Sequence, residues 1–211
     1  MKEREMKRLI LILFVFMVMV PMTTVTAAKN YEPQNYATFK IGGFITNDSA
    51  LDNGVVIGGA IGHMINRNFA VELGTDYTFT DFNYDNDYVY GNADVYTLGI
   101  PITAKYILPL SNQVDLFAGA GVGIYFTGVK FNHHENHEHD GHYYDDDSIH
   151  DTSPGFHCLI GADIKMNSYL ALTMEMKYTE VVQDFDDYYY DYKYDFEVSG
   201  TTVYIGAKFL F

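Results

Sequence analysis

The final eleven residues, Thr201-Thr-Val-Tyr-Ile-Gly-Ala-Lys-Phe-Leu-Phe211, alternate. Val203, Ile205, Ala207, Phe209 and Phe211 share one face, and Tyr204, Gly206 and Lys208 share the other. A strand that is apolar on one side, carries Lys on the other and ends at an aromatic carboxyl terminus suits a wall facing lipid. It suits the surface of a water-soluble domain poorly. In hydrocarbon every backbone N–H and C=O must be paired, so strands cross only as a closed barrel.

The start of the chain fits that expectation. Lys2, Arg4, Lys7 and Arg8 form a basic region, Leu9 to Val20 is an apolar run, and Pro21 ends it. Val25-Thr26-Ala27 offers short residues before a cleavage point after Ala27. Met6-Lys7-Arg8 would open a leader equally well. The apolar run falls short of the roughly 20 residues that a spanning helix needs. No Cys lies near the cleavage point, which argues against a lipoprotein. Residues 1–27 are therefore expected to be a signal peptide, and residues 28–211 one barrel domain. Removing the leader's four basic and two acidic residues takes the net charge from −15 to −17. Such an acidic chain is no nucleic-acid binder, because phosphate backbones need clustered Lys and Arg. With Cys158 as the one cysteine, no disulfide within the chain holds the fold.

Period-two alternation predicts eight strands, near 35–46, 54–65, 69–82, 93–107, 114–130, 155–166, 169–184 and 199–211. The connections alternate in length. Residues 66–68, 108–113 and 167–168 are tight, whereas 47–53, 83–92, 131–154 and 185–198 are long and mostly acidic. Short turns at one end and long loops at the other mark a bacterial outer-membrane barrel with its turns in the periplasm. The even strand number puts both termini at that end. A soluble sandwich is the alternative for any one strand, and a lipocalin-type barrel would put the apolar face inside.

Three segments carry a resemblance. Leu98-Gly-Ile-Pro-Ile-Thr-Ala-Lys-Tyr106, Asn68-Phe-Ala-Val-Glu-Leu-Gly74 and Phe117-Ala-Gly-Ala-Gly-Val-Gly123 resemble the strands of small bacterial outer-membrane β-barrels, the outer-membrane protein A, X and W-like superfamily. The resemblance covers the whole mature chain. It implies an all-β, closed, eight-stranded up-and-down barrel in the outer membrane, surrounded by outer-membrane lipid and monomeric. It also implies that Phe211 is read by the barrel assembly machinery. Pro101 cannot donate to a ladder, so a local bulge is expected there.

Extending the alternation assigns the inward charges. Lys40, Lys105, Lys165, Lys177 and Lys208 face Glu72, Asp76, Asp115, Asp163 and Glu175. Lys105, Lys177 and Lys208 are expected near Glu72, Asp115 or Glu175. An eight-stranded barrel is about wide enough inside for side chains to fill it. Charges in so narrow a space must pair. Five against five, with bulky Phe44, Phe117 and Tyr204, favours a plugged lumen over a narrow pore. The inward Gly42, Gly58, Gly62, Gly119, Gly121 and Gly123 either free volume for a pore or make room for large partners.

Residues 131–154 hold His133, His134, His137, His139, His142 and His150 among many acids. Imidazole with carboxylate companions suits zinc, nickel or copper. The loop is expected to be the least ordered part, because it has little to bury, and to take up a divalent metal opportunistically. No cofactor is required by any other motif. His157 faces inward and His63 ends the second strand, so both are expected to be structural. Asp81–Asp94 and Asp184–Glu197 are also acidic, and the second interleaves Tyr. Three roles remain open. These are a non-enzymatic barrel (structural, surface-interacting or a narrow pore), a surface metal binder, and a lipid-modifying barrel enzyme. The last is disfavoured, since five of the six Ser fall in loops or turns and no lipid-facing strand position joins Ser to His.

Overall fold

The computed structural model describes residues 34–47, 51–86, 89–132, 148–181 and 198–211. The expected signal peptide, residues 1–27, lies outside these, as do residues 133–147 and 182–197. Eight antiparallel strands run β1 Gln34–Thr46, β2 Gly54–Asn66, β3 Phe69–Asn86, β4 Val89–Pro109, β5 Val114–Asn132, β6 Ser148–Lys165, β7 Leu170–Val181 and β8 Gly200–Leu210. Each pairs with the next, and β8 returns to β1, closing the barrel. The seam runs from Tyr36↔Leu210 to Thr46↔Gly200, and Asn35 and Phe211 exchange backbone hydrogen bonds just below it. A sandwich is thereby excluded.

The faces follow from the pleat. Outward positions such as Ile61, Leu73, Ile102, Val122, Ile160, Met176 and Val203 are exposed, whereas Lys40, Glu72, Lys105, Glu175 and Lys177 are buried inside. A lipocalin-type interior would reverse this. The apolar outer belt spans Val71–Phe79 on β3 and Leu98–Leu108 on β4, near the 9–11 residues that a tilted strand needs. Charge begins just above it, at Asp81, Asp94 and Lys130.

The three short turns share one device. The side-chain oxygens of Asn66, Ser111 and Asn167 each accept two backbone N–H bonds from residues two and three positions on. A short polar side chain thus caps the donors that the reversing chain exposes.

Three expectations need correction. First, no bulge forms at Pro101. The β3–β4 ladder lacks the rungs at Gly74 and Thr75 and resumes in the same register, while Pro101↔Gly123 is kept with β5. The missing N–H therefore faces β3. Gly74 accommodates the ring, since a Cβ there would stand 3.3 Å from Pro101 Cγ. Second, the long loops begin later than expected. Residues 83–86 and 89–92 are strand, and so are Phe131, Asn132 and Ser148–Pro154. Third, His150 consequently lies on β6 rather than in a loop. It is exposed, and its ring centroid is 6.2 Å from that of Tyr96.

The inward glycines make room for large partners. A Cβ on Gly62 would lie 2.1 Å from Tyr36 Cζ, on Gly161 2.3 Å from Phe117 Cζ, and on Gly121 1.9 Å from the Ile102 carbonyl oxygen. Rings lie flat against the wall where a neighbouring strand offers no side chain. Gly121→Ala should therefore destabilise the barrel by about 1–3 kcal/mol through overpacking. Outward Gly59, whose Cβ would meet nothing nearer than 3.6 Å, should tolerate Ala. Urea unfolding of both variants in vesicles checks the contrast.

Candidate functional site

Among the described residues, the lumen concentrates charge. At its centre Lys105 on β4 lies 2.8 Å from Glu72 on β3 and 3.2 Å from Glu175 on β7. Glu175 also takes Lys40 of β1 at 2.7 Å. Glu72 accepts a hydrogen bond from Tyr36 Oη at 3.1 Å. Just above, Lys177 pairs with Asp76, which also accepts from Tyr204 Oη at 3.0 Å. Nearer the turns, Lys208 pairs with Asp163, and Lys165 lies 2.7 Å from Asp115. Rings sandwich the cations. Lys40 stands 4.8 Å from the centroid of Tyr204, Lys105 4.8 Å from Phe117, and Lys208 4.6 Å from Tyr36. A buried ammonium thus gains both a carboxylate and the negative face of an aromatic ring.

All ten charges face inward, and each lies in an ion pair. The partners differ from expectation for two lysines: Lys177 takes Asp76 and Lys208 takes Asp163. Alternation gives the face on which a charge lies. The partner depends on how far neighbouring strands are staggered around the ring, which alternation does not report. Sequence reasoning also missed Tyr36 as a hydrogen-bond donor. Its signal was an inward aromatic ring beside the inward Gly62 of the next strand.

An apolar cluster lies near each end. Near the turns, Tyr36 of β1 packs with Ala70, Ile107, Phe117 of β5 and Leu159. Near the loops, Leu51 and Val198 pack with Ala93 and Val95 of β4 and with Val129 of β5. In a ring of eight, β1 lies opposite β5, and β8, which Val198 precedes, lies opposite β4. Each cluster therefore reaches across the lumen.

His157 Nε2 lies 2.8 Å from Thr103 Oγ1. A hydroxyl beside an imidazole is the start of a nucleophile–base pair. Here it is sealed inside the wall, with His157 only 1% exposed, and no carboxylate orients Nδ1 among the described residues. His63 Nδ1 lies 2.8 Å from Asn35 Oδ1 at the outer rim. Among the described residues no group of three or more His, Cys, Asp or Glu is placed to hold a metal. Of the histidine tract, His150 is on β6, while His133, His134, His137, His139 and His142 lie outside the described residues.

Lys105→Met should cost about 3–5 kcal/mol, because it strands two buried carboxylates. Lys165→Met should cost about 1 kcal/mol or less, because that side chain is 36% exposed and its pair is partly screened. Paired denaturant titrations of the two variants test the ordering.

The barrel resembles solved structures at low identity. A major outer membrane protein from Thermus thermophilus is 14% identical with a TM-score of 0.64, over 86% of this chain and all of that one. The outer membrane protein OprG from Pseudomonas aeruginosa is 13% identical with a TM-score of 0.58, over 88% and 99%. Neisserial surface protein A is 12% identical with a TM-score of 0.54, over 85% and 98%. These likenesses speak to the fold. No curated protein matches the chain significantly. The family model "Outer membrane protein beta-barrel domain" matches residues 12–211. The chain belongs to that family, and it is a β-barrel of the bacterial outer membrane.

Proposed function

We propose that the protein is a closed, non-enzymatic outer-membrane barrel that holds an acidic surface outside the cell on a rigid base. One observation carries this reading: the ten charges at the centre of the lumen, five basic and five acidic, are all ion-paired, and an apolar cluster lies near each end. A conducting pore needs a continuous wet path, and these clusters interrupt it twice. A lipid-modifying enzyme needs a nucleophile and base at the lipid rim, and the hydroxyl–imidazole pair described above is walled off inside. The exposed side chain of Phe211, beside a backbone already paired to Asn35, supports its reading by the assembly machinery. In planar bilayers the refolded chain should carry no steady current. Stable unitary conductance would overturn the closed reading.

The histidine-rich sequence supports a second role, metal capture at the cell surface. It rests on composition: His133, His134, His137, His139 and His142 fall within ten residues. Zinc should bind the folded protein, and affinity should fall as pH drops below about 6.5, because protonated imidazole cannot ligate. A variant with His133, His137, His139 and His142 changed to Ala should lose that binding. Equal zinc uptake by both proteins in a calorimetric titration would remove the tract from consideration.

A further inference from the structure

Near the turns the ladder brings two like charges together. Asp115 of β5 and Asp163 of β6 are direct partners, and both point into the lumen. Like charges directly opposite each other are unfavourable. Two lysines offset this, because Asp115 Oδ2 takes Lys165 and Asp163 Oδ2 takes Lys208. The second oxygen of each carboxylate, Oδ1, is buried and has no hydrogen-bond partner among the described residues. The two acids are only 7% and 4% exposed. A buried carboxylate oxygen without a donor is costly, and such groups are paired with protein or with ordered water.

We propose that one buried water molecule bridges Asp115 Oδ1 and Asp163 Oδ1. The Cβ atoms of directly opposed residues stand about 4.5–5.5 Å apart. A water that donates to two oxygens at about 2.7–2.8 Å each spans such a gap. Its two O–H groups match two acceptors that lack a donor. Next in the same row, Thr173 of β7 is the ladder partner of Asp163, faces inward and is 2% exposed. Its hydroxyl can donate to the water in turn, which gives the roughly three bonds that a buried water makes.

Charge selects water over the other species that could fill the gap. Lys165 and Lys208 already balance the two carboxylates, so a bound metal cation would leave net positive charge inside the wall. A proton shared between the two acids would leave one lysine in excess. Water changes no charge. It also joins two separate ion pairs into one unit that ties β5 and β6 to β8. Exchange with bulk water is from the turn end, where the Lys165 side chain is 36% exposed. On the other side the rings of Tyr36 and Phe117 lie against Lys208. A single enclosed water carries no current, so this site and the closed-barrel reading stand or fall on different measurements.

The test observes the refolded protein in nanodiscs by NMR, with threonine methyl groups labelled. Cross-relaxation between water and the Thr173 methyl should have the sign of a water that stays bound rather than one in the free liquid. Asp115→Leu combined with Lys165→Met removes one anchoring oxygen together with its counter-charge, so that no charge is stranded. The Thr173 signal should then disappear. Its absence from the unmodified protein overturns the site, and so does its persistence in the double variant. A fall in the urea midpoint on adding EDTA that Asp115→Asn abolishes would assign the gap to a metal ion. A carboxylic-acid C=O infrared band that Asp115→Asn abolishes would assign it to a shared proton. Either result overturns the water. Should the double variant not fold, a crystal structure of the unmodified protein decides. Density for one oxygen within hydrogen-bond distance of both Oδ1 atoms supports the site, and Oδ1 atoms that meet no such oxygen overturn it.

Discussion

Everything in this molecule depends on the rule that a backbone in hydrocarbon must satisfy its own hydrogen bonds. An open sheet would leave two rows of unpaired groups against lipid, each group costing several kcal/mol. The β1–β8 seam removes both rows at once, and its extent, from Tyr36↔Leu210 to Thr46↔Gly200, matches the depth of the apolar belt. The same rule explains why a proline in the middle of β4 is accommodated by omission. Pro101 gives up its bond towards β3 and keeps its partner Gly123 on β5, and the register on both sides is unchanged.

Closure then creates a second problem, because it makes an inside. Eight strands leave a lumen that side chains must fill. The chain fills it with aromatic rings laid over glycines and with lysines held between rings and carboxylates. Tyr36 shows how closely these are joined. Its ring lies against Gly62, its hydroxyl donates to Glu72, and its face receives Lys208. Strand, glycine and ion pair are therefore not separate features. A substitution at any one would disturb the other two.

The strands within the membrane are legible from sequence because lipid outside and charge inside enforce strict alternation. The ten ion-paired Lys, Asp and Glu are assigned to their face by that pattern alone, whereas Asp151, which faces Thr127 across the β5–β6 ladder, is missed because it reads as loop. The strands above the membrane are not legible. In the sequence, residues 83–86, 89–92 and 148–154 show no alternating apolar face, so strand there reads like loop. His150 reads as a loop residue for this reason. Leu51 and Val198 are hidden differently: both fall in segments that read as loop, yet both are buried. Partner choice in the lumen is beyond reach as well, since Lys177 and Glu175 share a face and a strand and only the stagger of β3 decides which acid each lysine meets.

Why the lumen is charged at all has an answer in register. A buried ion pair is often no more stabilising than apolar residues of the same size. Here an apolar interior would resemble the lipid-facing surface, and a strand slipped by one residue would exchange two similar faces. With Lys40, Lys105, Glu175 and Lys177 inside, the same slip moves ammonium or carboxylate groups into hydrocarbon. The cost of slipping then falls on β1, β4 and β7, and through their carboxylate partners on β3. The ion pairs thus act less by holding the correct barrel together than by making the incorrect ones untenable.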